Sequence, residues 1–396
     1  MKKYTLRNGL HVLIDKKNAE TVSIMATVKI GSLYEKANEG ISHFVEHMVF
    51  EGTEKRKTAK DITSEIEAVG GMINAYTDHE RTSFFIKVPK KYFSLAVDIL
   101  SDIMQNATFE EDVLNKEREV ILREINMCYD EPRVHQWLLF YHTLFPGHPA
   151  GKPIFGSVES LKGTTRQHMR SFYNTYYVPN NMIIGVVGNV KNAKQLIEKK
   201  FSFNPASVPA SAIPIPLSTP SFKKINKKIL NAYFVLGYQT VSRDHTDSYA
   251  LDVIQAILGR GQSGRIFDEI RNKRGLVYEV GVHHDTDKSF GVFSVYLNTE
   301  HKHVDLCREL IMKEIHALSN ISEKELQEAI GFIEGKTILD HENTDKHVDD
   351  LCFWGLMGKP EGIKEYLKNI KKITKKDVAR VAQTYFSKKP TIALIE

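Results

Sequence analysis

A chain of 396 residues exceeds what one hydrophobic core serves and predicts two domains of ordinary size. Its 42% hydrophobic and 26% charged residues are globular values, which exclude a disordered or fibrous chain. A net charge of +5, dispersed along the chain with acids between the bases, is too weak for a nucleic-acid footprint, and no run reaches the roughly 18 apolar residues of a membrane span.

In chain order, YTLRNGLHVLID predicts a hairpin with a type I′ turn at Asn8-Gly9, and TVSIMATVKIG predicts the next strand. GISHFVEHMVFEGT, residues 40 to 53, has the periodicity of a helix. A further helix near 59 to 69 and the strand-like NAYTDHERTSFFIKV follow, and helices then dominate until MIIGVVGNV, an apolar run expected to be a buried strand. Five of the thirteen prolines fall between Pro205 and Pro220, which predicts an extended linker at 204–221 between domains at 1–203 and 222–396. The second half replays the first: NAYFVLGYQTV and YALDVIQAILGRG mimic the opening strand and helix at an offset of about 208 residues. Ala250 to Ala256 then take the place of His43 to His47, so the chemistry of the opening helix belongs to the first half alone. The basic segment KEYLKNIKKITKKDVAR has apolar residues at helical spacing and reads as a solvated helix face. The expected fold class is α+β, with two similar halves, each an antiparallel-rich sheet covered by helices and joined by a Pro-rich linker. Cys128, Cys307 and Cys352 are scattered and form no CxxC pair, and the amino terminus enters no apolar signal core. A cytoplasmic, reducing location without a disulfide framework or thiolate metal site is therefore expected.

On a helix, His43 and His47 lie one turn apart on one face, with Glu46 within reach. Two imidazoles at that spacing can grip one Zn²⁺, and the carboxylate can then take a proton from water, the logic of the HxxEH peptidase signature. The surrounding Ile41, Phe44, Val45, Met48, Val49 and Phe50 predict a buried helix, where ionisable groups without partners would cost several kcal/mol. A third ligand is needed. In TFEEDVLNKEREVILREINMCYDEP an apolar stripe through Val113, Val120, Ile121 and Cys128 also carries Glu117 and Glu124, which predicts that both carboxylates point toward the core. A salt-bridged pair of core acids is the alternative reading of those two residues.

GISHFVEHMVFEGT, GGMINAYTDHERTSFF, EREVILREI, GKPIFGSVESL, YYVPNNMIIGVVGNV and RIFDEIRNKRGLVYEV together resemble the pitrilysin-type (M16, inverzincin) zinc peptidases over essentially the whole chain. The resemblance is to their short-chain branch, which includes mitochondrial processing peptidase and prokaryotic homologues. It implies His43, His47 and Glu124 as ligands of one Zn²⁺ per chain, Glu46 as catalytic base and Glu117 as a supporting acid. It also implies Asn74 and Ala75 as the strand edge that binds substrate, and Arg271 and Tyr278 as the pair that holds substrate and stabilises the oxyanion. In this branch the Arg and Tyr pair reaches the zinc from a second subunit, so the resemblance implies a homodimer enclosing a chamber; a heterodimer is the other arrangement. The substrate implied is an unfolded peptide or oligopeptide, with no nucleic acid or membrane partner. Two departures stand out: LGRGQSGRIF replaces a glycine-rich loop, and Val134 and Leu138 occupy the positions of acids that read a substrate arginine, so an arginine preference is not expected. The alternative within the family is a non-catalytic or partner-dependent subunit that scaffolds an assembly or binds peptides. A zinc hydrolase acting on a non-peptide amide is the reading left if the resemblance is set aside.

Overall fold

The computed structural model describes residues 1–208 and 213–396. Among them the strands are β1 (Lys2–Thr5), β2 (His11–Asp15), β3 (Thr21–Val28), β4 (Met72–Thr77), β5 (Thr82–Pro89), β6 (Met182–Val187), β7 (Phe222–Ile225), β8 (Ala232–Thr240), β9 (Val277–Thr286), β10 (Gly291–Thr299) and β11 (Thr391–Ile395). They form two sheets, ordered β1-β2-β6-β3-β5-β4 and β7-β11-β8-β10-β9. Each sheet has a single parallel pairing, β2 with β6 and β7 with β11, and is otherwise antiparallel. The two orders are equivalent from β2 and β7 onward, so the replay seen in the sequence is a replay of topology. Among the described residues no helix is long and apolar enough to cross a membrane.

The first hairpin differs from expectation at its turn. Leu6 and Leu10 close the loop, Gly9 donates its N–H to the Leu6 carbonyl, and only Gly9, at φ 93°, takes the left-handed conformation. Three residues between the closing pair make a type I turn with a glycine bulge, whereas a type I′ turn needs positive φ at both central residues.

One compact unit comprises Met1–Asn126, Pro153–Ile213 and Leu339–Ile363; the other comprises Met127–Lys152, Pro214–Ile338 and Lys364–Glu396. The units part between Ile213 and Pro214, inside the expected linker, but 127–152 and 339–363 are exchanged across the expected division at 1–203 and 222–396. In the first unit the helix Thr344–Leu356 packs on β3 and β6. A Cβ at Gly185 of β6 would sit 2.4 Å from Cys352 Sγ, so glycine lets the helix approach the sheet. In the second unit the helix Pro132–Leu144 packs on β8 and β11, and a Cβ at Gly237 would sit 2.6 Å from the Phe140 ring. Each half of the sequence therefore lends a helix to the other half's sheet. Helical periodicity records that a helix has an apolar face but not which sheet that face will cover, so a cut at the proline-rich stretch misassigns both. Residues 204–208 and 213–221 of the expected linker form neither helix nor strand, and 209–212 lie outside the described residues.

The first core is built on β6, whose six residues are all buried as the apolar run predicts, together with Ile24, Ala26, Phe84 and Ile86 from the neighbouring strands. The second gathers Phe234, Leu236, Phe293 and Val295 of its central strands against Leu251, Ile254 and Ile257 of the helix Asp247–Gly259.

Candidate active site

The opening helix spans Ile41–Val49 and buries Ile41, Ser42, Phe44, Val45, Met48 and Val49, leaving His43, Glu46 and His47 half-buried together. Its N-terminus has no local side-chain cap. Glu35 supplies one from upstream, its carboxylate accepting from the N–H groups of Gly40 at 2.6 Å and Ser42 at 2.8 Å. Burial pushes the Glu35 carboxyl up to about 7 against the pull of these bonds. Gly40 has φ 83°, and a Cβ there would lie 2.2 Å from the Phe155 carbonyl oxygen, so only glycine can open this helix. Beyond the helix, the buried Arg56 guanidinium pairs with Glu65, Asp98 and Asp102 at 2.7 to 2.8 Å and fixes the exit of the chain.

The long helix Glu111–Asp130 brings up the second set of acids. Its buried residues are Leu114, Ile121 and Ile125, while Val120 is exposed and Val113 and Cys128 are half-buried. The apolar stripe is therefore rotated from the expected Val113–Val120 line. At 3.6 residues per turn, Glu117 and Glu124 stand roughly 60–80° from the centre of the true stripe. They line its shoulder and meet the opening helix, instead of entering the core as expected.

His43 Nε2 and His47 Nε2 lie 3.8 and 3.7 Å from the Glu124 carboxylate oxygens, and ligand atoms of these three residues all fall within 4.8 Å of one another. Ligands around a tetrahedral zinc at about 2.1 Å are roughly 3.4 Å apart, so the set would fit one zinc ion once the ligand atoms close in on it. The donor chemistry agrees. Burial, with the charge of His47 beside it, pushes His43 down to about 3, which keeps the imidazole neutral with a lone pair to give, and its Nδ1 is buried without a hydrogen-bond partner among the described residues. Burial also pulls His47 down, but the hydrogen bond to Glu117 and the charges of Glu46 and Glu124 outweigh it and leave its pKa raised. His47 Nδ1 donates to Glu117 Oε2 at 3.2 Å, which turns Nε2 toward Glu124.

Glu46 sits beside this set. Burial raises its pKa, partly offset by the hydroxyl of Thr77, which donates to Oε2 at 2.6 Å. Sequence reasoning missed Thr77. The signal was present: on a strand of period two it shares a face with Ala75, two residues before it. Among the described residues β4 is an edge strand, paired with β5 alone, and it carries Asn74 and Ala75. The Ala75 N–H donates to the side-chain oxygen of Asn74 at 2.8 Å, so it faces the open edge instead of the β5 ladder.

Arg271 and Tyr278 belong to the second unit and contact each other. Arg271 lies in a π-helical turn, Asp268–Asn272, its guanidinium 4.9 Å from the Phe267 ring centre and 5.1 Å from that of Tyr278. Tyr278 is 78% exposed.

The family model described as Insulinase (Peptidase family M16) matches residues 11–157, and that described as Peptidase M16 inactive domain matches residues 164–331. An uncharacterized zinc protease of Rickettsia felis is 33% identical over 401 residues, covering 98% of this chain and 96% of that protein. The chain belongs to peptidase family M16. The inactive-domain match contains the helix Asp247–Gly259, which has no histidine. Among solved structures, a protease from Helicobacter pylori superposes with a TM-score of 0.94 at 22% identity, covering 100% of this chain and 99% of that one. A chain of Complex III2 from Candida albicans superposes with a TM-score of 0.86 at 20% identity, covering 100% and 95%. At these identities the two structures share the fold. The ionisable cluster in this M16 chain is that of an HxxEH-type zinc peptidase: His43 and His47 with the distant Glu124.

Proposed function

We propose that this M16 chain is a zinc endopeptidase acting on unfolded peptides. The observation that carries the reading is the convergence of His43, His47 and Glu124 beside the Glu46 carboxylate, next to a strand edge with an outward N–H. The three ligands hold one zinc per chain, and Glu117 orients His47. When bound, zinc supplies Lewis acidity that polarises the scissile carbonyl and acidifies the attacking water. A substrate adds as a strand to β4, with the Ala75 N–H exchanging its bond to Asn74 for one to the peptide backbone. Glu46 accepts the proton of the attacking water and passes it to the leaving amine. Arg271 and Tyr278 steady the developing oxyanion, contributed by the second copy in a cytoplasmic homodimer whose two chains enclose a chamber. The exposed phenol of Tyr278 and the stacking that orders Arg271 support this assignment.

The fold by itself does not decide between a peptidase and a scaffold, since a chain of Complex III2 shares it. The complete ligand set and the carboxylate beside it favour the peptidase. The test is digestion of an unfolded peptide mixture by the zinc-loaded protein and by Glu46→Gln, with fragments identified by mass. Cleavage by the wild type and none by a variant that keeps its zinc is expected. Bound zinc without cleavage by the wild type would instead favour the scaffold.

A further inference from the structure

Thr77 closes β4, pairs with Thr82 of β5 and is almost fully buried. Its hydroxyl donates to Glu46 Oε2 at 2.6 Å, in the range of a charge-assisted O–H···O⁻ bond. The two partners differ in stiffness. Threonine is branched at Cβ and its χ1 is confined, whereas a glutamate has three side-chain torsions and loses substantial rotamer freedom when held. The strand therefore serves as the fixed post and the glutamate as the part that is tied to it. Only one oxygen is tied. Among the described residues Oε1 of Glu46 makes no hydrogen bond, which leaves it to receive a proton while Oε2 stays pinned.

From this geometry we infer that Thr77 is a positioning residue for the general base. It acts through Glu46 and touches neither substrate nor metal. The same strand does two jobs. The Ala75 N–H faces the open edge, and Thr77, two residues on, presents its side chain to Glu46. A peptide added to this edge would thereby lie at a distance from the base that the strand itself sets. This inference rests on the peptidase reading.

The test compares Thr77→Val, which keeps shape and branching but removes the hydroxyl, with Thr77→Ser, which keeps the hydroxyl. Steady-state cleavage of a defined peptide, zinc content per chain, and binding of a fluorescent peptide to Glu46→Gln with and without Thr77→Val are measured. Thr77→Val is expected to lower kcat by about 10- to 100-fold, the cost of a misplaced catalytic group, with KM unchanged. Thr77→Ser should restore most of kcat, and zinc content and peptide binding should not move. An undiminished kcat in Thr77→Val would overturn the inference. So would a loss of kcat that serine fails to rescue, or one accompanied by loss of zinc or of peptide binding, since the hydroxyl would then hold the strand and not the base. A zinc-loaded wild type that cleaves nothing overturns the peptidase reading and this inference with it, whereas an active wild type beside an equally active Thr77→Val overturns only the role of Thr77.

Discussion

The two units place a helix after the same strand of equivalent sheets and treat its ionisable groups in opposite ways. In the second unit Asp252, on the helix Asp247–Gly259, is saturated. Its carboxylate accepts from Arg243 Nη1 at 2.6 Å and Nη2 at 3.2 Å, from His284 Nδ1 at 2.7 Å and from the Tyr366 hydroxyl at 2.9 Å. In the first unit the groups of the corresponding helix converge: among the described residues His43 Nδ1 has no hydrogen-bond partner, Glu46 is bonded through one oxygen, and two imidazoles face one carboxylate. Both arrangements answer the cost of burying charge. In the second unit the Asp252 carboxylate is neutralised by the partners around it, while the first brings two imidazoles and one carboxylate close enough together to hold a cation.

The sharpest way to break this contrast is to remove a ligand. His47→Ala is expected to abolish both zinc retention and peptide cleavage, read by metal analysis and by mass spectrometry of fragments, while Asp252→Ala leaves one zinc per chain in whatever fraction stays folded. Next in size, Asp252→Ala leaves the Arg243 guanidinium buried without its counter-charge and should cost about 3–5 kcal/mol of stability by chemical denaturation. That network also has a pH signature. Burial alone would raise the Asp252 pKa, but Arg243 and His284 override it and hold the carboxyl well below the usual range. A depressed folded-state pKa contributes stability above the unfolded value of about 3.9 that is lost as pH falls through the folded value. Wild type should therefore lose stability steeply below about pH 4, with a steepness that Asp252→Asn lacks.

A third experiment asks whether the two units of different copies cooperate. If Arg271 acts in a partner's site, mixing inactive Glu46→Gln with inactive Arg271→Ala and allowing subunits to exchange restores one intact site per mixed dimer, about a quarter of wild-type activity at equal amounts. No recovery in a mixture shown to exchange would place Arg271 with the zinc of its own chain. The smallest effect is expected for Glu117→Gln, which keeps all three ligands and loosens only the orientation of His47. Zinc affinity should fall roughly 10- to 100-fold, measured by competition with a chelating dye.

Much of this was legible before any coordinates. The spacing of His43 and His47 is a property of any helix, so their meeting on one face followed from the sequence. The burial of β6 followed from its apolar run, and the repeat of strand and helix foretold two equivalent sheets. What stayed hidden was long-range. Nothing local distinguishes a helix that covers its own sheet from one lent to the other, so Pro132–Leu144 and Thr344–Leu356 were assigned to the wrong units. The stripe of the Glu111–Asp130 helix was misphased because Val120 is apolar yet exposed, and apolar residues at the surface are common. The bond between Thr77 and Glu46 joins residues 31 apart, and the one between Asp252 and His284 joins residues 32 apart, separations that no periodicity reports.

The most direct test of the contrast between the units is the zinc content of wild type and His47→Ala, purified identically, dialysed against zinc and then against metal-free buffer, with folding checked by circular dichroism. One zinc per chain in the wild type and none in a folded His47→Ala is the predicted result. Zinc retained equally by both, or a folded wild type that binds none, would contradict the assignment of the open cluster as the metal centre.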